Sequence, residues 1–555
     1  MSNTAFVIGM ETLGRRARAR LLTAAAMPER SQRAALLSIV GACKATEQGR
    51  RFGLEHVADV AGFRRAVPIQ TYEDIRPAIE RQIATGALEI SPEKPLMYAL
   101  SSGTTGKAKY IPVTTTVLKQ LRTAQRAMAF VQHEALRSFS GKLVGLAGAK
   151  AEEMLPDGTP AGATTGLIYE TMPRFMRVKY VVPTSVFTVA DYGLKYDLIA
   201  RLAAGASNVT VFATANPSTL LRLMDILNRN LPGIVTDIAD GAFAGYSALP
   251  SGVAREIAPL LAADKSRAKQ LGRLLATGKP AEIGDVWPDL RAVVTWLGGG
   301  CAVAAAAVRR QLPAEARMVD AGYVASETRG TIVLDVARGL ALPLLDDVFF
   351  EFAPVEAWDR GVRDTLLLHE LAEGQDYHVI ITTAAGLLRY HMNDVVRAGP
   401  RIGATPSLAF IRKGRGVTNI TGEKLSEDQV HSAMAAAPAP AFFVVLADTV
   451  ASRYRAHVEF AGPAPDRETF ARGLDERLAA LNIEYASKRG SGRLLPIEVR
   501  LLRRGAGEAY HRHCVETKKQ REAQMKVLAL QTVEECDFNF ADFEIADAAA
   551  VPDLR

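Results

Sequence analysis

Short apolar runs that alternate with longer helical stretches are the feature that most restricts the folds open to this chain. Four such runs cover residues 208–213, 291–297, 318–323 and 378–383. Each has the length of a buried strand, whereas the stretch 217–228 carries its leucines at helical spacing. This alternation predicts an α/β fold.

Helical periodicity also dominates the N-terminal region, roughly residues 10–90, where Leu36 and Val40 recur on one face between basic residues. A second helical pattern runs from 115 to about 139 and includes Val117, with threonines available as caps. We therefore predict a helical N-terminal layer and a long helix after residue 114.

Size and charge set further bounds. The chain has 555 residues, of which 48% are hydrophobic, and this is enough to bury a large core and to form two or more domains. The formal net charge is +7, but basic and acidic residues are interspersed. No concentrated basic stripe is present, and aromatic residues do not interleave with the basic ones, so we expect no nucleic-acid partner.

Cysteine usage and the N-terminus bear on localisation. The four cysteines are far apart, without paired spacing: Cys43, Cys301, Cys514 and Cys536. This fits reduced thiols and no structural metal. The basic cluster RRARAR follows the uncharged TAFVIGM, the reverse of a secretory signal, and the uncharged run 292–308 is too short for a membrane span. We expect a cytoplasmic protein without a membrane partner.

The pattern changes after Arg412. Two strand-like segments, 441–448 and 453–460, are followed by a helical stripe over 467–486 and a further strand over 495–502. We predict a large N-terminal domain, residues 1–412, and a smaller, mobile C-terminal α/β domain, residues 413–555. The connection would lie near 413–416, where two glycines stand between cations.

Alternation within the segment 453–460 predicts one buried and one solvated face. The predicted buried residues are Tyr454, Ala456, Val458 and Phe460, and the predicted solvated ones are Arg455, His457 and Glu459.

A polar loop, SSGTTGKAKYIPVT at 101–114, follows the apolar MYAL. Its small residues, hydroxyls and lysines suit close contact with anionic oxygens. It is not the common phosphate loop, because Gly103 and Gly106 are too close and Ala108 follows Lys107. We predict that it lies between a short strand and a helix. A polar hairpin turn explains the loop equally well when it is taken alone.

Three more polar segments follow strand-like runs, where α/β proteins place their ligands. They are GYVASE at 322–327, RYHMND at 389–394 and WLGGG at 296–300. Glu327 and Asp394 offer carboxylates, and the glycines leave a backbone against which a flat base can lie. Each has an ordinary alternative, such as Glu327 in the first turn of a following helix or an ion pair of Asp394 with Arg397.

In their order along the chain, these segments resemble the adenylate-forming superfamily of acyl-CoA synthetases, peptide-synthetase adenylation domains and luciferases. A narrower resemblance, over roughly residues 60–530, is to the Gretchen Hagen family of acyl-acid amido synthetases. It is carried by VPIQTYEDIRPAIER, NPSTLL, WPDLRAVVTWLGGG, FFEFAPVE and ITTAAGLLRYHMNDVVR.

The resemblance implies roles for particular residues. The loop 101–106 would cradle the phosphates of ATP, Glu327 would hold Mg²⁺ or the phosphate end, Tyr323 would lie near the adenine and Asp394 would bind the ribose. Lys526 occupies the position of the catalytic C-terminal lysine. The implied ATP-binding residues are Ser101, Ser102, Gly103, Thr104, Thr105, Gly106, Lys109, Gly298, Gly299, Tyr323, Glu327 and Asp394.

This chain departs from the family pattern at several positions. Ala108 stands where the superfamily has proline, Val324 where it often has glycine, and Asn393 where this family usually has glycine. His391 stands where an arginine is common. Lys526 has an ordinary alternative, because Lys518, Lys519 and Arg521 make a basic run of the kind that is usually solvated.

The resemblance implies an ATP-dependent ligase that activates a carboxylic acid as its acyl-adenylate and joins it to an amino acid or other amine, releasing AMP and pyrophosphate. Two alternatives stay open: an acyl-CoA ligase, and a non-catalytic binding protein that keeps the fold. The segment HRHC at 511–514 has no second ligand pair at a suitable spacing, so we give it no metal-binding role.

Overall fold

The computed structural model describes residues 3–101, 109–298, 301–414, 417–418, 420, 423, 425–436, 438–448, 450–490, 492, 494–517 and 527–545. They divide into two compact units, the first within Met1–Leu297 and Ala304–Phe410 and the second within Gly298–Val303 and Ile411–Arg555. Helices and strands occur in both, which confirms the predicted α/β class with a large N-terminal and a smaller C-terminal domain. The mobile connection stays a prediction, and Arg415 and Gly416 lie outside the described residues.

The helices are α1 Asn3–Ala26, α2 Pro28–Cys43, α3 Glu47–Arg51, α4 Val60–Ala66, α5 Tyr72–Thr85, α6 Thr115–Leu136, α7 Thr164–Glu170, α8 Arg174–Arg177, α9 Tyr192–Gly205, α10 Pro217–Asp240, α11 Ser251–Ile257, α12 Lys265–Leu275, α13 Ile283–Val286, α14 Ala302–Arg310, α15 Val355–Asp359, α16 Glu427–Met434, α17 Arg467–Leu481, α18 Ile483–Gly490 and α19 Ala506–Thr517. Among the described residues, none of these helices has both the length and the apolar character needed to cross a bilayer.

The strands are β1 Met97–Ser101, β2 Lys109–Val113, β3 Lys142–Gly145, β4 Glu153–Met154, β5 Pro160–Gly162, β6 Val209–Ala213, β7 Ala292–Thr295, β8 Arg317–Asp320, β9 Thr331–Asp335, β10 Leu340–Pro343, β11 Val348–Pro354, β12 Leu366–Leu367, β13 Asp376–Thr383, β14 Tyr390–Ile402, β15 Thr405–Lys413, β16 Val417–Thr418, β17 Leu425–Ser426, β18 Phe442–Asp448, β19 Arg453–Glu459, β20 Glu498–Leu502 and β21 Leu530–Thr532.

The predicted N-terminal helices are confirmed, and the first of them packs on the long helix α6. Thr114 caps α6 by accepting a hydrogen bond from the Val117 N–H, as a threonine at a helix start should. Gly14 allows α1 to approach closely, because a Cβ atom there would lie 2.4 Å from Phe130 Cβ. A larger residue at this position would separate the two helices.

The first unit contains a parallel sheet with the order β3-β6-β7-β8. The four residues of β7 are buried, and helices α9 and α10 contribute to the apolar cluster beside it. Because the strands are parallel, their carboxyl ends open at one edge, where the segments after β7 and β8 begin.

The second large sheet of this unit has the order β12-β11-β13-β14-β15 and is antiparallel where the β11, β13 and β14 register is given. Strand β13 is buried over 377–383, with Val379, Ile380 and Ile381 as its apolar centre. Its pairing with β14 shifts register between His378 and Ile380. The start of β14, which carries the RYHMND segment, is thereby placed against the core cluster that also contains Tyr323.

The prediction that the polar loop lies between a strand and a helix is wrong. Strands β1 and β2 pair antiparallel, with Ser101 opposite Lys109, so the loop connects the two strands of a hairpin. Helix α6 begins only after β2. Pro112 lies in β2, and a proline is tolerated there because β2 is an edge strand of its sheet.

In the second unit, the sheet order β20-β19-β18-β21 brings the predicted strands together. The prediction that His457 and Glu459 are solvated is wrong, since they are only 5% and 8% exposed. The His457 ring stacks on Phe540 at 4.4 Å, and the Glu459 carboxylate accepts from the N–H groups of Gly505 and Gly507. Chain segments that follow later in the sequence cover this face of β19.

The predicted helix over 467–486 is two helices, α17 and α18, which meet at Asn482. Phe470, Leu474 and Leu478 are buried as the stripe predicts, whereas Leu481 is 45% exposed. The Asn482 side chain accepts from the Tyr485 N–H and so caps the start of α18.

Candidate active site

The segment that follows β8 forms a tight loop that returns along itself into β9. Tyr323 O accepts from the N–H groups of Gly330 and Thr331, and the Tyr323 N–H donates to Thr331 Oγ1 at 2.8 Å. Gly322 has φ of +80°, a conformation that suits glycine. No helix follows Glu327, so the alternative in which this carboxylate starts a helix is wrong. The loop instead presents it at the carboxyl edge of the parallel sheet.

Tyr323 and Asp394 form a buried pair between this loop and β14. The Tyr323 hydroxyl donates to Asp394 Oδ2 at 2.8 Å, and the two residues are only 4% and 1% exposed. The tyrosine ring is stacked on Phe410 with 6.1 Å between ring centroids. Burial, together with the neighbouring Asp394 charge, raises the pKa of Tyr323 well above its usual value. The tyrosine therefore stays a neutral donor that orients the carboxylate.

A second tyrosine connects three of the predicted elements. The Tyr390 hydroxyl donates to Glu327 Oε1 and accepts from Lys109 Nζ, each at 3.4 Å. Burial, with a further contribution from the Glu327 charge, raises the pKa of Tyr390, so its proton stays on the hydroxyl. Lys109 Nζ also lies 5.3 Å from the ring centre of Tyr72. Strand β2, the loop after β8 and strand β14 thus meet at one point.

The backbone that carries these side chains takes up an unusual conformation. Arg389 and Asn393 have φ of +44° and +52° and flank the start of β14. Asn393 stands where the family usually has glycine, and asparagine is among the residues that tolerate this conformation best. The departure at this position therefore preserves the backbone geometry that glycine would give.

A buried ion pair holds Arg389 in this conformation. Its guanidinium donates to both carboxylate oxygens of Glu351, at 2.9 and 3.1 Å, and to Val67 O. Glu351 is 1% exposed and accepts further hydrogen bonds from Arg64 and Thr365. Both oxygens of the Glu351 carboxylate therefore accept hydrogen bonds.

The structure brings together Lys109, Tyr323, Glu327 and Asp394 of the predicted site. Ser101 is placed as the last residue of β1. Gly298 is exposed and is assigned to the second unit. The other predicted residues, Ser102, Gly103, Thr104, Thr105, Gly106, Gly299 and Lys526, lie outside the described residues. Their roles stay predictions.

The sequence analysis missed Tyr390, although it lies inside the RYHMND segment. Its value as a buried hydroxyl between a lysine and a glutamate depends on which strands pair. The alternative ion pair of Asp394 with Arg397 is also replaced by other contacts: Arg397 bonds Asp376 at 2.7 and 3.0 Å, on the neighbouring strand β13.

A cavity adjoins this cluster on the side of α6. Its walls include apolar side chains of α6 and of the segment before β11, and Glu327, Arg329 and Thr383 also line it. Glu327 therefore faces both the tyrosine cluster and the cavity, so a ligand in the cavity would lie beside the predicted phosphate end.

Comparisons with known proteins agree with the sequence resemblance. The GH3 family N-terminal domain matches residues 17–314, the GH3 family central domain matches 341–413 and the GH3 family C-terminal domain matches 428–535. The three matches follow one another along the chain. Lys109, Tyr390 and Asp394 lie within them, whereas Tyr323 and Glu327 lie between the first and the second match.

Curated relatives span most of the chain. An indole-3-acetic acid-amido synthetase of Oryza sativa subsp. indica is 26% identical over 86% of this chain and 84% of its own length. A jasmonoyl–L-amino acid synthetase of Nicotiana attenuata is 25% identical over 71% of this chain and 70% of its own. Among solved structures, an acyl acid amido synthetase in complex with 2,4-DB covers 96% of both chains at 20% identity, with a TM-score of 0.84. The chain belongs to the GH3 family.

Proposed function

We propose that this protein is a cytoplasmic ATP-dependent ligase that converts a carboxylic acid into its acyl-adenylate and transfers the acyl group to the amine of an amino acid. The carboxylate oxygen attacks the α-phosphorus of ATP and pyrophosphate leaves. The amine nitrogen then attacks the acyl carbon, the C–N bond forms, AMP leaves with the bridging oxygen and the amine loses a proton.

The observation that carries this proposal is the joint placement of Lys109, Glu327 and Asp394 around two buried tyrosines, in a chain of the GH3 family. The first half-reaction brings two anions together, so positive charge and hydrogen-bond donors are needed where negative charge develops. Lys109 supplies a cation beside the predicted phosphate loop, 101–106.

Glu327 is a suitable residue for Mg²⁺ that enters with ATP. Mg²⁺ is usually held by one or two carboxylates together with substrate phosphates. Among the described residues no group of three or more histidines, cysteines, aspartates or glutamates is placed so that it could hold a metal ion. Bound there, Mg²⁺ would neutralise phosphate charge.

Asp394 is the acceptor that we assign to the ribose hydroxyls. Its orientation is set by the Tyr323 hydroxyl, so little rearrangement is needed when a ligand binds. Because Asp394 is only 1% exposed, a hydrogen bond to it is stronger than one at the surface. Asp394→Ala should therefore weaken ATP binding, and Tyr323→Phe should weaken it less.

Product analysis tests the reaction. Purified protein is incubated with MgATP, a library of carboxylic acids and either pooled amino acids or coenzyme A, and the products are identified by mass. Amides and AMP that form only with an acid and an amino acid would support the proposal. Thioesters in the coenzyme A arm would show an acyl-CoA ligase instead, and absence of AMP in every arm would show a non-catalytic protein.

Lys526 is the residue that we assign to adenylate formation, from its position in the family pattern. Lys526→Ala should slow acyl-adenylate formation by about 10²- to 10³-fold, as when one preorganised charge-stabilising donor is removed. A chemically supplied acyl-adenylate should still react with the amine. Lys518→Ala and Lys519→Ala are matched controls that should have little effect, because an isolated solvated lysine contributes little. Equal loss in all three variants would show a general basic surface.

A further inference from the structure

Gln70, two residues before Tyr72, binds the start of β14 through its backbone. Its N–H donates to Arg389 O at 2.9 Å, and its O accepts from the His391 N–H at 2.8 Å. These two hydrogen bonds flank Tyr390, whose backbone forms a parallel bridge with Gln70. The strand that carries the Tyr390 hydroxyl is therefore fixed to the chain immediately before helix α5.

Tyr72, the first residue of α5, binds the other strand that meets at this point. It is only 3% exposed, and its hydroxyl accepts from the Tyr110 N–H of β2 at 2.7 Å. An edge strand such as β2 has backbone N–H groups without a partner in its own sheet, and the Tyr72 hydroxyl supplies an acceptor for this one. It thereby fixes β2 at the residue next to Lys109. One short segment, 70–72, thus holds both strands whose side chains meet in the contact of Lys109 with Tyr390.

The ring of Tyr72 also contacts the Lys109 side chain. Lys109 Nζ lies 5.3 Å from the ring centre, within the distance at which an aromatic face attracts an ammonium group. Burial raises the pKa of Tyr72 to about 12, so the side chain stays a neutral phenol. A ring face uses none of the three hydrogens of an ammonium group. The ring can therefore hold Lys109 while Lys109 donates to a phosphate oxygen.

A second cation on the same ring has a partner of its own. Arg76 lies one turn further along α5, and its guanidinium carbon is 4.6 Å from the ring centre of Tyr72. Its guanidinium donates to both carboxylate oxygens of Glu73, at 2.8 and 2.9 Å, so its charge is compensated within the helix. The contact with Lys109 is the one that connects the ring to the predicted nucleotide site.

The start of α5 keeps Tyr72 in place. Thr71 caps the helix, and its N–H and hydroxyl both donate to Asp74 Oδ2 at 2.7 Å. Tyr72 also packs in the same core cluster as Tyr390. Its ring is therefore in position before a ligand binds. A lysine that is already held loses less rotamer freedom when it contacts a phosphate.

From these contacts we propose that Tyr72 is a positioning residue for ATP binding: its hydroxyl fixes the strand of Lys109, and its ring face holds the Lys109 ammonium where the phosphates bind. The inference rests on the proposed function, because it assigns Tyr72 to the same nucleotide site. In this role Tyr72 acts through Lys109 instead of touching the reacting atoms. Loss of the ring should therefore weaken ligands that carry phosphate and spare those that do not.

Calorimetry with MgATP and with adenosine tests this role. In Tyr72→Leu, which removes the ring and the hydroxyl, the affinity for MgATP should fall by about 10- to 30-fold, as expected for a cation–π contact at a desolvated site, and the affinity for adenosine should be unchanged. Tyr72→Phe keeps the ring face and should lose a smaller factor. Equal losses for MgATP and adenosine, tighter MgATP binding in Tyr72→Leu, or equal losses in Tyr72→Phe and Tyr72→Leu would each overturn the proposal.

A double-mutant cycle with Lys109→Met separates positioning from a general effect on folding. If Tyr72 acts through Lys109, then Tyr72→Leu should have little further effect on MgATP affinity once Lys109 is methionine. Additive losses would show an effect of Tyr72 that does not depend on the lysine, and would overturn the proposal.

Tyr377→Leu is the matched control for the loss of a buried tyrosine. Tyr377 is also 3% exposed, and its hydroxyl likewise accepts from a backbone N–H, that of Ala372 at 3.0 Å. This variant should lower stability and leave MgATP affinity unchanged, and an equal weakening of MgATP binding would overturn the specific role of Tyr72. Because the cycle measures binding alone, coupling of Tyr72 to Lys109 in a protein that forms no AMP would refute the proposed function alone. AMP formation without this coupling would overturn the inference alone.

Discussion

Glu351→Gln should be among the most destabilising single polar substitutions in the first unit. The change keeps the size of the side chain but removes the charge that Arg389 and Arg64 share, and Glu351 is 1% exposed while the Arg389 side chain is 8% exposed. Removing one partner of such a buried pair leaves the other charge uncompensated, which costs about 3–5 kcal/mol. Part of this loss should arise because the ion pair no longer holds the Arg389 backbone at its φ of +44°, a conformation that is uncommon for arginine.

Asp376→Asn is the matched control on the neighbouring strand. Arg397 bonds both oxygens of Asp376 with similar distances, but these side chains are 51% and 30% exposed. Solvent screening should therefore limit the loss to about 1 kcal/mol or less.

The three tryptophans, Trp287, Trp296 and Trp358, all belong to the first unit, so tryptophan fluorescence during guanidinium unfolding reports on that unit. If Glu351→Gln and Asp376→Asn shift the transition equally, burial does not determine the strength of this ion pair and the reasoning is refuted.

Three further predictions concern protonation and packing. Burial lowers the pKa of His431 and His457 to about 4, so as pH falls below about 6.5 the unfolded chain binds protons that these histidines in the folded second unit do not, and each histidine should lower the stability of that unit by up to about 3 kcal/mol by pH 4. Hydrogen exchange in β18 and β19 should therefore accelerate less on acidification in His431→Leu than in the wild type. Burial raises the pKa of Asp347 to about 6, so the folded state binds the proton more tightly than the unfolded chain, and stability should fall by up to about 3 kcal/mol as pH rises from about 4 to about 6. Fluorescence-monitored unfolding of Asp347→Asn should lack this loss, and an unchanged pH profile in this variant would contradict the assignment. In Gly330→Ala the new Cβ would lie 2.4 Å from Tyr323 Cδ1, so the ring must move; ATP affinity should fall, and calorimetry showing wild-type affinity would contradict the placement of Tyr323.

Much of the fold follows from local patterns. Three strands of the parallel sheet, β6, β7 and β8, and helix α6 agree with the predictions, because apolar runs and helical spacing determine them locally, whereas β3 is not predicted. For the loop after β1, the alternative of a hairpin turn is the one that agrees with the structure, and strand β2 is not predicted because its proline argues against a strand unless its edge position is known. Likewise, alternation in β19 predicted a solvated face that the distant Phe540 covers.

The candidate site divides in the same way. Glu327 and Asp394 are predicted because they lie in short polar segments after apolar strands, whereas Lys109 is predicted only from the family pattern; the structure brings the three residues together. Tyr390 is not predicted, because its place in the site depends on a long-range contact with Glu327.

The fate of the carboxylate oxygen tests the central claim most directly. An acid that supports product formation is labelled with ¹⁸O in its carboxylate and incubated with the enzyme, MgATP and its amine. Attack on the α-phosphorus followed by aminolysis must leave one labelled oxygen in AMP and none in pyrophosphate. Recovery of the label in inorganic phosphate, with ADP as the nucleotide product, would show an acyl-phosphate intermediate and contradict the account.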